Sequence, residues 1–282
     1  MCNIRKVFRE FIAQFGQEFF CARTVVIFFI MGIFIYSSLE PVGVMIHEIG
    51  IYASPTAFVH IMNDYMCQII LTIGMVFLYS TAPFRRNSFP YIVYRSGQRN
   101  WECGNILFMF ILSFLYTLFI LLVSVAALKE EQDFNIQGWG KIWGTLARTN
   151  APGMFDIKLN VSDYLVGKYE PEFAMPVTFF LVWTCFFFIG LAMYIFNLYI
   201  KRGSGIILAG IFVFLDTMIY NSWTPWAYRI SPLTLAKLTT FTNYHQHYGL
   251  TLTYAWIFMI TGILIMCFII FALAGKKENG YE

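Results

Sequence analysis

The sequence predicts an all-α integral membrane protein with six transmembrane helices and both ends in the cytoplasm. Three observations predict this fold: the composition, six separate apolar stretches and the distribution of basic residues. Of the 282 residues, 59% are hydrophobic and only 12% are charged, and the mean hydropathy is +0.64. Soluble domains usually contain about 25% charged residues. This chain therefore carries more apolar side chains than a soluble fold of its size can bury.

The apolar residues are gathered into six stretches that predict six spans. A helix that crosses the hydrocarbon core needs about 20 mainly apolar residues, and it is tolerated in lipid because its backbone polar groups bond within the helix. The stretches comprise residues 24–39, 62–82, 103–128, 176–200, 204–221 and 250–274. We therefore treat residues 1–282 as one transmembrane domain whose spans occupy 24–274.

Lysine and arginine predict the orientation, because cytoplasmic segments of membrane proteins carry an excess of both. If the N-terminus lies inside, the inner segments hold 12 of the 19 basic residues. These are Arg5, Lys6, Arg9, Arg23, Arg85, Arg86, Arg95, Arg99, Lys201, Arg202, Lys276 and Lys277. The longer outer segments hold Lys129, Lys141, Arg148, Lys158, Lys168, Arg229 and Lys237. The expected location is the cell membrane, with both termini cytoplasmic.

Residues 1–23, ahead of the first span, predict an amphipathic helix at the inner membrane interface. Between positions 4 and 20 apolar residues recur at helical spacing, and charged residues fill the other face. The apolar stripe includes Phe8, Phe11, Ile12, Phe15 and Phe19. Such a helix lies among the lipid headgroups with its apolar stripe toward the acyl chains. The alternative is an ordinary cytoplasmic helix packed on a partner protein.

Two outer segments are more structured than simple turns. Outer loop 129–175 is the largest extramembrane piece, and Trp139, Ile142, Trp143 and Leu146 predict a short interfacial helix within it. Segment 222–249, before the last span, is aromatic, apolar and interrupted by prolines. It predicts one or two short helices that either re-enter the outer leaflet or lie on its surface.

Few residues suggest chemistry within the chain itself. No Walker motif is present, and His245 and His247 have no further metal ligands that the sequence identifies. Catalytic, metal and cofactor sites are therefore not expected, and the net charge of +3 gives no reason to expect nucleic acid binding. Asp64 and Asp216 fall within apolar stretches. Acids in such positions either mark a substrate pathway or form structural hydrogen bonds at a helix interface.

The inner loop 83–102 is polar and basic, and its second half contains Arg95, Gly97, Arg99 and Trp101. On one short helix, Arg95 and Arg99 would share a face because they are four residues apart. Gly97 would lie on a different face and permit a close backbone approach. Two cations beside a large aromatic side chain suit a binding hot spot. The alternative is that the arginines only anchor to anionic lipid headgroups.

The stretch Arg95-Ser96-Gly97-Gln98-Arg99-Asn100-Trp101 resembles the Arg-x-Gly-x-Arg-x-Trp motif that many bacterial type-2 ATP-binding cassette permeases carry before their third span. Ile230-Ser231-Pro232-Leu233-Thr234 resembles the Ser-Pro segment that these permeases often carry before their last span. The amphipathic entry helix, the six spans and the basic inner loop are also similar to that family. Outer loop 129–175 is longer than the tight turn of the polysaccharide and lipid exporters in the family.

The resemblance implies the permease subunit of an exporter, which is not an enzyme by itself. A separate ATPase, carrying ATP and Mg²⁺, would dock at the cytoplasmic face on the loop that contains Arg95, Gly97, Arg99 and Trp101. A second permease would complete a route for a peptide, a lipid or an amphipathic drug, and membrane lipid would be a further partner. The other classes that we considered are an intramembrane enzyme, which would need clustered catalytic groups, and a membrane scaffold, which would need no ATPase.

Overall fold

The computed structural model describes residues 3–84, 89–201, 203–221, 225–241 and 250–278. In this part of the chain the structure is helical, and the one β-type contact is an isolated bridge between Ala53 and Gln132. The helices are α1 (Ile4–Gln14), α2 (Ala22–Ile49), α3 (Ala57–Asn63), α4 (Tyr65–Tyr79), α5 (Phe89–Ser96), α6 (Gln98–Ala127), α7 (Gly140–Arg148), α8 (Ala151–Met154), α9 (Asp163–Lys168), α10 (Pro171–Tyr199), α11 (Ser204–Tyr220), α12 (Pro232–Leu235) and α13 (Leu252–Glu278). A π-helical turn, Phe15–Phe19, follows α1, and 3₁₀ turns at Pro225–Arg229 and Leu238–Phe241 flank α12. The all-α prediction is confirmed for these residues.

Among the described residues, four helices are long and apolar enough to cross a membrane: α2, α6, α10 and residues Leu252–Ala274 of α13. A fifth span is reached if α3 and α4 act together, although they are bent by 86° at their junction. The fifth predicted span, residues 204–221, corresponds to α11, whose 17 residues extend about 26 Å. A hydrocarbon core is roughly 30 Å thick. The helices thus support a membrane protein with four or five candidate spans, and a sixth is not confirmed.

Polar residues explain why the second predicted span is broken. Asp64 leaves the helical conformation, with φ −73° and ψ 133°, and separates α3 from α4. An Asp in this extended conformation is favoured immediately before a helix, because its carboxylate can accept hydrogen bonds from the first free N–H groups. The polar residues at the start of the predicted span therefore mark a helix boundary.

The first span is longer than the apolar stretch that predicted it. Helix α2 continues past Glu40 and Pro41 and ends at Gly50, whose φ of +68° suits a glycine after a helix. Its 28 residues extend about 42 Å, which exceeds the roughly 30 Å of a hydrocarbon core. The end of α2, which contains His47 and Glu48, is therefore able to project beyond the core.

Helices α6 and α10 form the centre of the bundle. Helix α6 contacts α1, α2, α10 and α13, and α10 also contacts α4, α11 and α13. Buried Tyr79 of α4 donates its hydroxyl to the Met109 carbonyl oxygen of α6 at 2.9 Å. Gly190 of α10 leaves room for the ring of the same tyrosine, which would lie 2.5 Å from an added Cβ. Close packing and interhelical hydrogen bonds of this kind stabilise helix association in membranes.

Helix α1 crosses the beginning of α6 and turns its polar stripe toward the bundle. Three polar residues of this stripe are each only 7% exposed: Glu10, Gln14 and Glu18. Of the five predicted apolar residues, Phe8 and Ile12 are exposed, whereas Phe11, Phe15 and Phe19 are partly buried against the core. The N-terminal segment is therefore amphipathic as predicted, but its polar stripe is buried against the protein and only part of its apolar stripe, Phe8 and Ile12, is exposed.

Outer loop 129–175 is folded against α3. The Trp143 Nε1–H group donates to the Ser54 carbonyl oxygen at 3.0 Å, and the Ser54 hydroxyl donates to the Trp139 carbonyl oxygen at 2.9 Å. The imidazole of His60 contacts both indole rings, with centroid separations of 5.0 and 4.4 Å. The predicted short helix is present as α7, but its apolar face is buried against the chain. It is therefore a packed helix whose apolar residues are not available to lipid.

Candidate functional site

The first candidate region is the elbow, residues 89–102, where α5 meets α6. Gly97 joins the two helices with φ +84° and ψ 146°, a conformation that residues with a Cβ rarely adopt. Arg95 therefore belongs to α5 and Arg99 to α6. The expectation that both arginines share one face of a single helix is wrong, because the glycine between them ends the first helix.

The elbow carries an exposed aromatic and basic surface. The side chains of Tyr91 and Tyr94 are 80% and 96% exposed, and Arg95 and Arg99 are exposed as well. Tyr91 lies three residues before Tyr94 and four before Arg95, so these three share a face of α5. Tyrosine and arginine are enriched in binding hot spots. The two tyrosines were not predicted as site residues, although their helical spacing beside Arg95 would have indicated them.

Trp101 does not belong to this surface, because it is only 1% exposed. Trp101 therefore offers no exposed surface to a partner, contrary to the expectation that it forms part of an exposed hot spot. Its neighbour Glu102 is equally buried and accepts hydrogen bonds from Gln98 Nε2 at 2.6 Å and from the Tyr194 hydroxyl of α10. The first turns of α6 are thus fixed to α10.

The inner loop is also connected to α1 and α2. Lys6 Nζ of α1 donates to the Arg95 carbonyl oxygen at 3.5 Å. Ahead of the elbow, the Arg23 guanidinium of α2 donates to Thr81 Oγ1 at 2.8 Å and pairs with Glu18 at 3.2 Å. Helices α1 and α10 therefore contact the inner loop itself, and α2 contacts Thr81 just ahead of it.

The two acids that fall within apolar stretches have different surroundings. Asp64 Oδ1 accepts the Cys67 backbone N–H at 2.8 Å, and its Oδ2 accepts the Asn160 backbone N–H at 3.2 Å. Asp64 therefore caps α4 and fastens the outer loop to the helices. Of the two roles considered for this residue, these contacts favour structural hydrogen bonding.

Asp216 forms the second candidate region, a buried ion pair. Its Oδ2 lies 2.8 Å from Lys237 Nζ, with the side chains 1% and 10% exposed, and its Oδ1 accepts from Thr234 Oγ1 at 2.7 Å. Lys237 Nζ also lies 5.2 Å from the centroid of the Tyr65 ring, within the range of a cation–π contact. Lys237 was predicted only as a basic residue of an outer segment. No local pattern indicates this pair, because its members are 21 residues apart and meet only in the fold.

The ion pair holds a segment that we term the outer plug, residues 231–241. Nearly all of its residues are buried. Side chains of other segments donate to three of its carbonyl groups: Cys185 Sγ to Pro232 (3.4 Å), Gln68 Nε2 to Leu233 (2.9 Å) and Lys168 Nζ to Phe241 (2.5 Å). Non-helical backbone at membrane depth must be buried in protein or line a cavity. The outer plug satisfies this condition, as a re-entrant segment would have to.

Within the described ranges, no group of three or more His, Cys, Asp or Glu side chains could hold a metal ion. His245 and His247 lie outside those ranges. Comparisons with protein-family models, curated proteins and solved structures found no match.

Proposed function

We propose that this chain is the permease subunit of an ATP-driven exporter in the cell membrane, working with a second permease and a separate ATPase. In this proposal α3 and α4 form one broken span and α11 forms a short one. Six spans then leave both termini in the cytoplasm. The substrate is a peptide, a lipid or an amphipathic drug, and it moves outward.

The observation that carries the proposal is the exposed surface of the elbow. Tyr91, Tyr94, Arg95 and Arg99 provide two aromatic rings and two cations, on the side that the basic residues predict to be cytoplasmic. Such a surface suits an acidic groove of a soluble subunit, because complementary charge raises association rates and disfavours like-charged partners. The aromatic part of this contact is formed by Tyr91 and Tyr94, because Trp101 is buried.

Helix α6 offers a mechanical route from the elbow into the spans. Its 30 residues extend about 45 Å, which matches the roughly 40–45 Å thickness of a bilayer with its headgroups. Glu102 links its beginning to α10, and Lys6 links the elbow to α1. An ATPase that displaced the elbow would therefore shift packed helices and would not merely bend a free loop.

The N-terminal helix supports a membrane interface on the same side. Ile4, Phe8 and Ile12 repeat every fourth residue and are exposed, and exposed Arg5 and Arg9 follow the adjacent edge of the helix. An apolar stripe beside cations is typical of a helix that lies among lipid headgroups. In our proposal, α1 holds the elbow at the inner leaflet, and lipid is a partner of this helix.

Replacing Tyr94 and Arg95 together by Ala tests the proposal. We expect the chain, purified from its native membrane in mild detergent, to bring an ATP-hydrolysing subunit with it. The double variant should carry at least about tenfold less ATP hydrolysis per mole of chain, because truncating one hot-spot residue typically costs about 2 kcal/mol or more. Arg99→Ala is measured in the same way. Trp101 is unsuitable for this test because it is buried.

Lys141→Ala is the matched control, since Lys141 is an exposed cation of the predicted outer loop. It should retain the ATP hydrolysis of the wild-type preparation. Melting curves of all variants establish that they are folded. A wild-type preparation with no ATP-hydrolysing subunit, or unchanged hydrolysis in the Tyr94/Arg95 variant, would contradict the proposal.

A further inference from the structure

The outer plug is attached by a few specific polar contacts and has no long helix of its own. Its regular elements are the four-residue helix Pro232–Leu235 and the 3₁₀ turn Leu238–Phe241. Asp216 of α11 binds two of its side chains, Thr234 and Lys237. The polar fastening of the plug therefore consists of point contacts from neighbouring helices.

These polar contacts are exchangeable with water. A buried ion pair adds little net stabilisation, because desolvation of the two charges offsets much of their attraction. If the plug moved to the aqueous outer face, Lys237 would regain its hydration, and the carbonyl groups now bonded to Gln68 and Cys185 would bond water. Gln68 Oε1 is buried without a partner among the described atoms, so the seated plug leaves an acceptor that water would satisfy.

Apolar burial opposes this exchange and keeps the plug seated. Leu233, Leu235 and Leu238 are fully buried, and exposing them to water is unfavourable. The ion pair adds a condition to this packing: the plug fits only while both charges are paired, because one unpaired buried charge is strongly destabilising. Apolar burial therefore keeps the plug in place while the ion pair is intact, and loss of one of the two charges is enough to release it.

We infer that the outer plug is a displaceable closure and that the Asp216–Lys237 pair is its latch. In the seated position the plug covers Cys185 of α10, whose thiol is 1% exposed and contacts the Pro232 carbonyl. Displacement opens the space between α4, α10 and α11 to water. The inference goes beyond the proposed function and uses none of the elbow residues, so each can fail without the other.

Asp216→Asn tests the latch, because it leaves Lys237 as an unpaired buried charge that drives the plug toward water. Cys185 is kept as the only cysteine, with Ser at the others, and the purified chain is placed in lipid nanodiscs that expose both faces. We expect a water-soluble maleimide to label Cys185 at least about tenfold faster in Asp216→Asn than in the parent, equivalent to about 1.4 kcal/mol in the opening equilibrium. The Asp216→Asn/Lys237→Met double variant leaves no charge unpaired and should return to slow labelling.

Two references separate plug displacement from unfolding. A chain that retains only Cys67, which is buried on α4 and lies beside Ser38 of α2, should stay protected in Asp216→Asn. Asp64→Asn should leave Cys185 protected, because the hydrogen bonds of Asp64 go to Cys67 and Asn160. Fast labelling of Cys185 alone supports the inference. Unchanged labelling of Cys185, labelling of both thiols, or failure of Asp216→Asn to fold would each overturn it.

Discussion

Replacing Trp101 by Ala is expected to lower the free energy of unfolding by about 3–5 kcal/mol, the range for truncating a large aromatic residue in a core. Trp101 is 1% exposed and lies in the first turn of α6. The resulting cavity would loosen α6 beside the contact between Glu102 and Tyr194. The measurement is the apparent melting temperature of the purified chain, which we expect to fall by about 10 °C.

Tyr94→Ala is the control for this variant, because it removes an aromatic ring from the same elbow at a position that is 96% exposed. Its melting temperature should match that of the wild type. Under the proposed function, Tyr94→Ala lowers the amount of ATPase that co-purifies with a fully folded chain. Trp101→Ala lowers that amount only in proportion to the chain that no longer folds. A Trp101→Ala chain with wild-type stability and selective loss of the ATPase would show that the tryptophan contacts the partner directly.

Replacing Gly205 by Ala is expected to cost about 3 kcal/mol or more, the upper part of the range for overpacking. The added Cβ would lie 2.6 Å from the Met193 carbonyl oxygen and 2.9 Å from the Met193 Cα of α10. Both are backbone atoms, so no side-chain rotation can relieve the clash and α11 must move. The Gly205 N–H donates to Asn197 Oδ1 at 2.8 Å, and this bond would be strained as well.

Gly210→Ala provides the matched control on the same helix. No atom lies within 4 Å of a Cβ at Gly210, and Ala favours a helix by about 1 kcal/mol over Gly. We therefore expect Gly210→Ala to melt at or slightly above the wild-type temperature, and Gly205→Ala to melt well below it. Equal melting of the two variants would mean that α11 does not pack on α10 as described.

The helical class and the long apolar helices could be predicted because their causes are local. The apolar stretches within α2, α6, α10 and α13 exceed or approach the length that a bilayer requires, and no tertiary contact is needed to identify them. The periodicity of residues 4–20 likewise predicted an amphipathic helix, and α1 with its π-helical turn occupies that range. The orientation of the spans and the class of transporter stay predictions, since they depend on the membrane and on partners.

The candidate site was only partly predictable, because its chemistry depends on which helices become neighbours. The motif that contains Arg95 and Arg99 located the elbow, and its Gly97 adopts the backbone conformation that separates the two helices, yet the burial of Trp101 follows from packing against the rest of the chain. Asp216 was identified as an acid in an apolar stretch. Its pairing with Lys237 was not foreseen, since a pattern along one helix carries no information about a side chain on another segment.

Composition and periodicity thus determined that this chain has helices long and apolar enough to cross a membrane, which stretches form them and which face of its N-terminal helix is apolar. Those properties depend on the water-to-lipid transfer of residues taken one at a time or at helical spacing. The tertiary structure decided that the polar stripe of α1 faces the bundle, that Trp101 is buried and that Asp216 meets Lys237. Each of these depends on a partner far away in the sequence, because a buried charge or polar group is stable only where folding brings a matching group to it.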